Sequence, residues 1–460
     1  MSSSPGFRLP PSPEYYFTDY TSDNSPSYSP PYAPSETPID YSVYSTPDKI
    51  VTTATPPTPP PPTTTTIPKK IHYPKVTEIS SEINEALTFR LNADMSIANA
   101  IRRTILSDIP VVVIDTQKCI IETNQCGGGQ HNEYLKHRLD CIPVIVPPGE
   151  MLDFVQDYYL SVDVNNESTS IKHVTTEDFK IMPKAEAQKK TYSTSDIFPP
   201  YQHKWYIEFA HLKPGVGGGE FIPGGAIKFT ADFKVSTAKE NAAYNAVYKC
   251  TAPYTVDTQA ATAEWKNREA KMKEDNKSES EITLSRANFW ALDAQRIYVK
   301  NSFDFEVRVL GMYRDREIVK HACAILENKF SDAPAKFRAG NKYIIQHALS
   351  QAYQVSDDSN DQTFIIHMGD EDYTMGKVIE YILYEYYYFV DEPEIRFCAF
   401  KKMHPHDAYG VLQVSLVSIP EMNDSINLER IHQVLEGVCK IGVKLFSHIG
   451  EHFGSGYKSN

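Results

Sequence analysis

A chain of 460 residues with 46 Lys and Arg against 59 Asp and Glu, a formal net charge of -13, is too long for one ordinary core and too acidic to grip nucleic acid unaided. Its 41% hydrophobic residues can build two or three domains, and any role with nucleic acid is expected to be indirect. Seven cysteines without a C-x-x-C pair fit a reducing compartment and free thiols. The opening MSSSPGFRLPPSPEYYF lacks the apolar core of a signal peptide, and no later stretch has the apolar length needed to span a bilayer, so a soluble, intracellular protein without a membrane partner is expected.

Seventeen of the 32 prolines fall between Met1 and Pro68 among Ser, Thr and Tyr, leaving few apolar side chains to offset chain entropy; residues 1–70 are expected to be a disordered tail. From Ile71 the composition turns globular. Leu87, Phe89 and Leu91 alternate as in a half-buried strand, and Asp94 or Ser96 can cap a following helix. Ile97, Ala98, Ile101, Ile105 and Ile109 form its apolar stripe. Arg103 then points nearly opposite, with Asn99 one turn behind and Arg102 on the flank. Pro110 ends the helix and VVVID starts a strand.

Residues 147–281 are expected to form an inserted strand-rich domain, with alternation at Trp205, Ile207 and Phe209 and again from Ile227 to Val235. Its last part, EWKNREAKMKEDNKSESE (Glu264 to Glu281), is charged nearly all round, as in a solvated helix or loop. Phe303, Phe305, Val307 and Val309 make a further strand, and Ile318 to Phe330 repeat with helical spacing. These complete a discontinuous first domain over 71–146 and 282–332, followed by a linker over 333–362 that contains Pro334 and Gly340.

A second domain over 363–455 then repeats the first pattern. Phe364, Ile366 and Met368 make a strand, GDED a turn and TMGKVIEYIL a helix. Under one constant offset Ser96 faces Thr374, Ile97 faces Met375, Ala98 faces Gly376, Ile101 faces Ile379 and Ile105 faces Leu383. The small residue in the third place suits close helix approach. DIPVVVI (Asp108 to Ile114) and DEPEIRF (Asp391 to Phe397) each place a proline break before a strand. Both halves close on an amphipathic helix, the second with Leu428, Ile431, Leu435, Val438, Gly442, Leu445 and Ile449 on one side. The fold class is therefore α+β: two related halves packed as an intrachain pseudo-dimer, with Ile97, Ala98, Ile101, Ile105, Met375, Gly376, Ile379, Leu383, Leu435, Val438 and Leu445 as the expected dimerisation residues.

These strings carry a resemblance. NADMSIANAIRRTILSDIPVVVID, IIETN, EYLKHRLDCIPV and STAKENAAYNAVY resemble, in order, the third-largest subunit of eukaryotic RNA polymerase II, the archaeal D subunit and the N-terminal region of the bacterial alpha subunit. MGDEDYTMGKVIEYIL, KKMHP and the last helix resemble the eleventh subunit and the archaeal L subunit. Both in one chain resembles the arrangement in some large DNA viruses, which implies action in the host cytoplasm, with or without packaging in virions. The resemblance implies a noncatalytic assembly platform for DNA-directed RNA polymerase, seating the second-largest and largest subunits with small subunits of the tenth and twelfth kind. It places Asn99, Arg102 and Arg103, with His137 and Arg138 of the HRL string, at the large-subunit interface. At the place of Asn99 the second half has Lys377, a departure from the family's asparagine.

Cysteines 141 and 250 bracket the inserted domain with none between them, so the zinc loop or iron–sulfur cluster of some relatives is not expected. No metal, cofactor or catalytic residue is expected elsewhere. HPHD (His404 to Asp407) is the nearest approach to a metal or acid–base site, and would belong to the alternative, a metal-dependent or other hydrolase on a duplicated α+β scaffold. CGGGQ and PGVGGGEFIPGG lack the Lys-Ser/Thr ending of a phosphate loop.

Overall fold

The computed structural model describes residues 71–81, 86–184, 190–202, 204–217, 222–347, 362–417 and 424–454; the expected disordered tail over 1–70 lies outside them. The architecture is mixed α and β. Among the described residues no helix is long and apolar enough to cross a membrane.

The first half opens with β1 (Lys75–Ser81) antiparallel to β2 (Leu87–Asn92), whose Leu87, Phe89 and Leu91 are buried. Helix α1 (Met95–Ser107) follows because Asp94 caps it, accepting the Ser96 N–H at 2.8 Å, and because its apolar stripe matches the 3.6-residue period. The chain then leaves this sheet. β3 (Val111–Asn124) pairs with a later strand; between them lie α2 (Asn132–Asp140), α3 (Met151–Asp157), β4 (Tyr158–Asn165), β5 (Lys172–Thr175), β6 (Lys180–Pro183), α4 (Thr194–Ile197) and β7 (Glu208–Leu212). That later strand is β8 (Ala226–Ser236), and the module's main sheet runs β3-β8-β4-β6, with β5-β7 as a separate ribbon.

The first sheet resumes with β9 (Val247–Thr251) and β10 (Tyr254–Val256). Two helices, α5 (Thr258–Glu274) and α6 (Glu279–Asn288), precede β11 (Tyr298–Val309), which pairs with β2, β9 and β10. This helical pair is not solvated all round: Ala261, Trp265, Phe289 and Ala294 bury a small core of their own. The 25-residue α7 (Asp315–Ala339) ends the half.

Two expected boundaries therefore move. β3, expected in the first domain, extends the module's sheet; β9 and β10, expected in the insertion, extend the first sheet. A strand buried on both faces, as Val111 to Ile114 are, carries no mark of which sheet it joins. The linker expected from 333 is helical to Ala339, with Pro334 inside, because Leu326, Phe330, Ala333 and Phe337 continue one buried stripe; Gly340, at φ 64°, stops it. Residues 348–361 of that linker lie outside the described residues.

The second half repeats the order of the first. β12 (Tyr343–His347) pairs with β13 (Gln362–Gly369), then come α8 (Tyr373–Leu383), β14 (Ile395–Lys401), β15 (Tyr409–Leu416) and the 28-residue α9 (Asp424–Glu451). Its sheet runs β12-β13-β15-β14, matching β1-β2-β11 and the β9–β10 pair in turn. DIPVVVI thus has no counterpart in DEPEIRF, since β3 joins the module while β14 pairs with β15.

Helices α7 and α9 lie along one another. Phe330 and Phe446 meet at 5.7 Å between ring centroids, and Gly442 sits so close that a Cβ there would be 2.5 Å from the Phe330 ring. Each long helix also touches the other half's sheet: Phe337 of α7 packs on Tyr343 of β12 at 4.8 Å, and Phe453 beyond α9 packs edge-on against Phe89 of β2 at 4.9 Å. Leu428, expected in the stripe of α9, is 41% exposed.

The approach at Gly442 has a measurable consequence. Gly442→Ala forces a fully buried aromatic ring to move and should destabilise the chain by roughly 1–3 kcal/mol, seen as a lower urea midpoint. An unchanged midpoint would contradict this packing.

Candidate functional site

Helices α1 and α8 lie side by side, so the two halves meet here as well as along α7 and α9. Both start on an aspartate: Asp372 accepts the Thr374 N–H at 2.8 Å, as Asp94 does for α1. The carboxylate of GDED thus satisfies an orphan donor and complements the positive helix end.

The cap of α8 is also a partner for the first half. Arg103 donates from Nη2 to Asp372 Oδ2 at 2.5 Å and from Nε to Thr374 Oγ1 at 2.9 Å. Burial opposes ionisation of Asp372, but the Thr374 hydroxyl and N–H, with Arg103 and Lys239 nearby, outweigh it and hold the carboxyl below its ordinary value. Across the seam, Tyr381 occupies the place on α8 that Arg103 occupies on α1, and its hydroxyl lies within the field of Asp94. Burial foremost, then Tyr386, Glu385 and Asp94, push that hydroxyl upward. The cap aspartate at one end of the seam therefore faces a guanidinium, and the one at the other end faces a phenol.

Arg103 consequently does not point directly away, as helical periodicity implied. Its long side chain turns along α1 to the neighbouring cap, where a carboxylate and a hydroxyl match two guanidinium donors. Beside it, Glu371 is buried and donates nothing when ionised; its Oε1 accepts the Tyr343 hydroxyl at 2.9 Å. Burial raises its carboxyl above the usual range, and Lys329, Tyr343, Lys336 and Lys239 only partly counter that.

The outer faces differ. On α1, Asn99 is exposed and half-buried Arg102 donates to its Oδ1 from Nη2 at 2.7 Å and Nε at 3.0 Å, so these two present one paired group. Arg102 also acts on the buried Cys250 thiol of β9, which burial pushes up to about 12 against that cation. On α8, Lys377 pairs with Glu380 at 2.8 Å, and Glu380 also accepts the Phe400 N–H at 2.6 Å. Between the helices lies a groove of about 410 Å³, with Met95, Asn99, Arg103, Tyr373, Lys377 and Tyr384 on its walls.

The structure keeps His137 and Arg138 apart from this groove, on α2 beside the strand-rich module. His137 is exposed. Arg138 donates from Nη2 to the Glu208 carbonyl at 2.5 Å and lies over the Tyr134 ring, which ties α2 to β7.

Ile97, Ala98, Ile101, Ile105, Met375, Ile379, Leu383, Leu435, Val438 and Leu445 are all buried in one continuous core. Gly376 does not serve helix approach: a Cβ there would lie 2.4 Å from the Phe400 ring of β14, so the glycine seats α8 on its own sheet. Residues missed in the sequence are Asp372 and Thr374 as partners of Arg103, and Phe330 facing Gly442. The constant offset could have suggested the first two, since it sets Asp372 against the cap Asp94. The HPHD residues hold one another in the β14–β15 turn: His404 N–H donates to Asp407 Oδ2 at 2.9 Å and His406 N–H to His404 Nδ1 at 3.2 Å.

Two sheets of the same strand order, each flanked by a short capped helix and a long closing helix, define the fold. The family model for the RNA polymerase Rpb3/Rpb11 dimerisation domain matches residues 89–330, just over half the chain, and the chain belongs to that family of noncatalytic, alpha-type RNA polymerase subunits. The match runs from β2 into α7.

Two measurements check the seam. In a cycle of Arg103→Gln, Asp372→Asn and the double variant, where Asn preserves the cap, the coupling should be about 0.5–1 kcal/mol, because both side chains are about two-fifths exposed; a coupling of zero would remove the ion pair from the account. For Glu371, a carboxyl raised by folding contributes stability below its unfolded pKa that is lost as pH rises through its folded one. Glu371→Gln should therefore melt higher than the parent at about pH 8, with the gap closing toward about pH 4.

Proposed function

We propose that this chain is an assembly scaffold of a multisubunit DNA-directed RNA polymerase, in which one polypeptide carries both members of an alpha-type pair and holds them as an intrachain pseudo-dimer. The observation that carries the reading is the repeated order of strands and helices, with α1 beside α8 and α7 along α9. The family match covers the first half, and the second half has the same order of elements. Covalent linkage makes the pairing independent of the supply of a second subunit.

In this reading the strand-rich module from β3 to β8 is an insertion between α1 and β9. The α1/α8 face is the seat for the second-largest subunit, and through it for the largest and for tenth- and twelfth-like small subunits. Asn99 and Arg102 make the contact, since their pair lies on the outer face, while Arg103 works within the chain. A guanidinium already oriented by Asn99 offers its remaining donors to carboxylates or carbonyls with little further loss of freedom. No observation favours a hydrolase at the HPHD turn.

Recovery of the complex through a tag on this chain tests the proposal. The parent should bring down two polypeptides of large-subunit size, and Arg102→Glu should reduce that recovery about tenfold without lowering the chain's melting temperature. Full recovery with Arg102→Glu would remove α1 from the interface, and absence of large transcription subunits with the parent would reject the scaffold reading.

A further inference from the structure

Beyond α8 the helix widens into one π turn, Tyr384–Tyr388, before the chain turns back toward β14. Such turns concentrate at functional positions because they re-aim side chains. Here Tyr386 and Tyr387 point inward and are buried, with the Tyr386 hydroxyl accepting the His72 N–H at 3.1 Å. Tyr384, Tyr388 and Phe389 point outward, 47%, 42% and 70% exposed. Their rings are nearly parallel: Tyr384 and Tyr388 stand 5.3 Å apart at 23°, and Tyr384 and Phe389 stand 6.1 Å apart at 9°.

This ledge is built rather than frayed. The Phe389 N–H donates to the Tyr384 carbonyl at 2.8 Å, the Glu394 N–H to the Tyr387 carbonyl at 3.0 Å, and the Val417 N–H to the Glu394 carbonyl at 3.0 Å. Exposed Val390 extends the apolar surface. Single exposed apolar residues need no explanation, but a contiguous, rigid aromatic face marks a surface that binds.

Charge selects the occupant. From Val378 to Ile395 the chain has five carboxylates and no Lys or Arg. Glu380 is taken up by Lys377 and the Phe400 N–H, and half-buried Glu394 faces Arg430. Half-buried Glu385 and exposed Asp391 and Glu392 flank the ring residues in the chain, and make no ion pair among the described residues. We propose that this ledge docks a Lys- and Arg-rich segment of another protein, cations lying over the ring faces and bonding to the three carboxylates. Arginine suits it better than lysine, because a planar guanidinium stacks on an aromatic ring and bonds a carboxylate at once. The ledge adjoins the α1/α8 groove, whose wall includes Tyr384, and Tyr388 and Phe389 carry it beyond that groove.

Fluorescence anisotropy with the full chain tests this, using a labelled arginine-rich peptide of about ten residues, its lysine version and a glutamate version. The arginine peptide should bind more tightly than the lysine one, and the glutamate peptide should not bind. Tyr388→Ala/Phe389→Ala, which touches only exposed rings, and Asp391→Lys/Glu392→Lys should each weaken binding at least about tenfold. Glu274→Lys/Asp275→Lys, at the exposed end of α5, makes the same change in net charge and should leave affinity within about twofold. Equal weakening by that control would mean attraction to the acidic chain as a whole and would overturn the proposal. So would unchanged binding in both ledge variants, or self-association of the parent that Tyr388→Ala/Phe389→Ala abolishes, which would assign the ledge to a second copy.

Discussion

The structure depends on the contact between α7 and α9. Each half has a sheet with an apolar face and a long helix with more apolar surface than that sheet covers, and the excess is buried against the other half. Phe330, Phe337, Phe446 and Phe453 meet partners across this division. Each such side chain contributes about 1.5–3 kcal/mol when fully removed from water, so neither half can release the other without exposing a stripe worth several such terms. Gly442 and Gly450 bring the helix backbones close enough for that burial, one facing Phe330 and the other Cys323.

The second contact, between α1 and α8, adds direction to that attraction. Apolar stripes pack in many registers, whereas Arg103 meets the Asp372 cap in one. The reverse position holds Tyr381 near Asp94, so the repeat is symmetric in its backbone and unequal in its chemistry. That inequality extends outward, to an Asn99–Arg102 pair on one helix and a Lys377–Glu380 pair on the other. Under the proposed function, that inequality lets the α1/α8 face seat one large neighbour in one orientation.

Much of this organisation was legible in the residues. The stripe on α1, its aspartate cap, the matching helix in the second half and the closing helices follow from spacing and cap chemistry. What spacing could not supply was identity of neighbours. Val111 to Ile114 are buried on both faces, and such a run is the same in either sheet. Pro334 ordinarily breaks a helix, yet the buried run from Leu326 through Phe337 carries α7 past it. A small residue at Gly376 suits a neighbouring helix by its spacing, but the group filling the gap is Phe400 of its own sheet. Helical angle alone does not place Arg103, because a side chain of its length follows the nearest carboxylate rather than its Cβ direction.

Cutting the chain between its halves examines the central claim most directly. A protease site placed within 348–361 cuts between β12 and β13, so that α7 and β12 stay on the first fragment and β13 and all that follows form the second, without touching the described contacts. After cleavage the two fragments should stay together through size-exclusion chromatography as a one-to-one pair at the mass of a single chain, and unfold in one transition. Fragments that separate into two folded, soluble monomers would contradict the account.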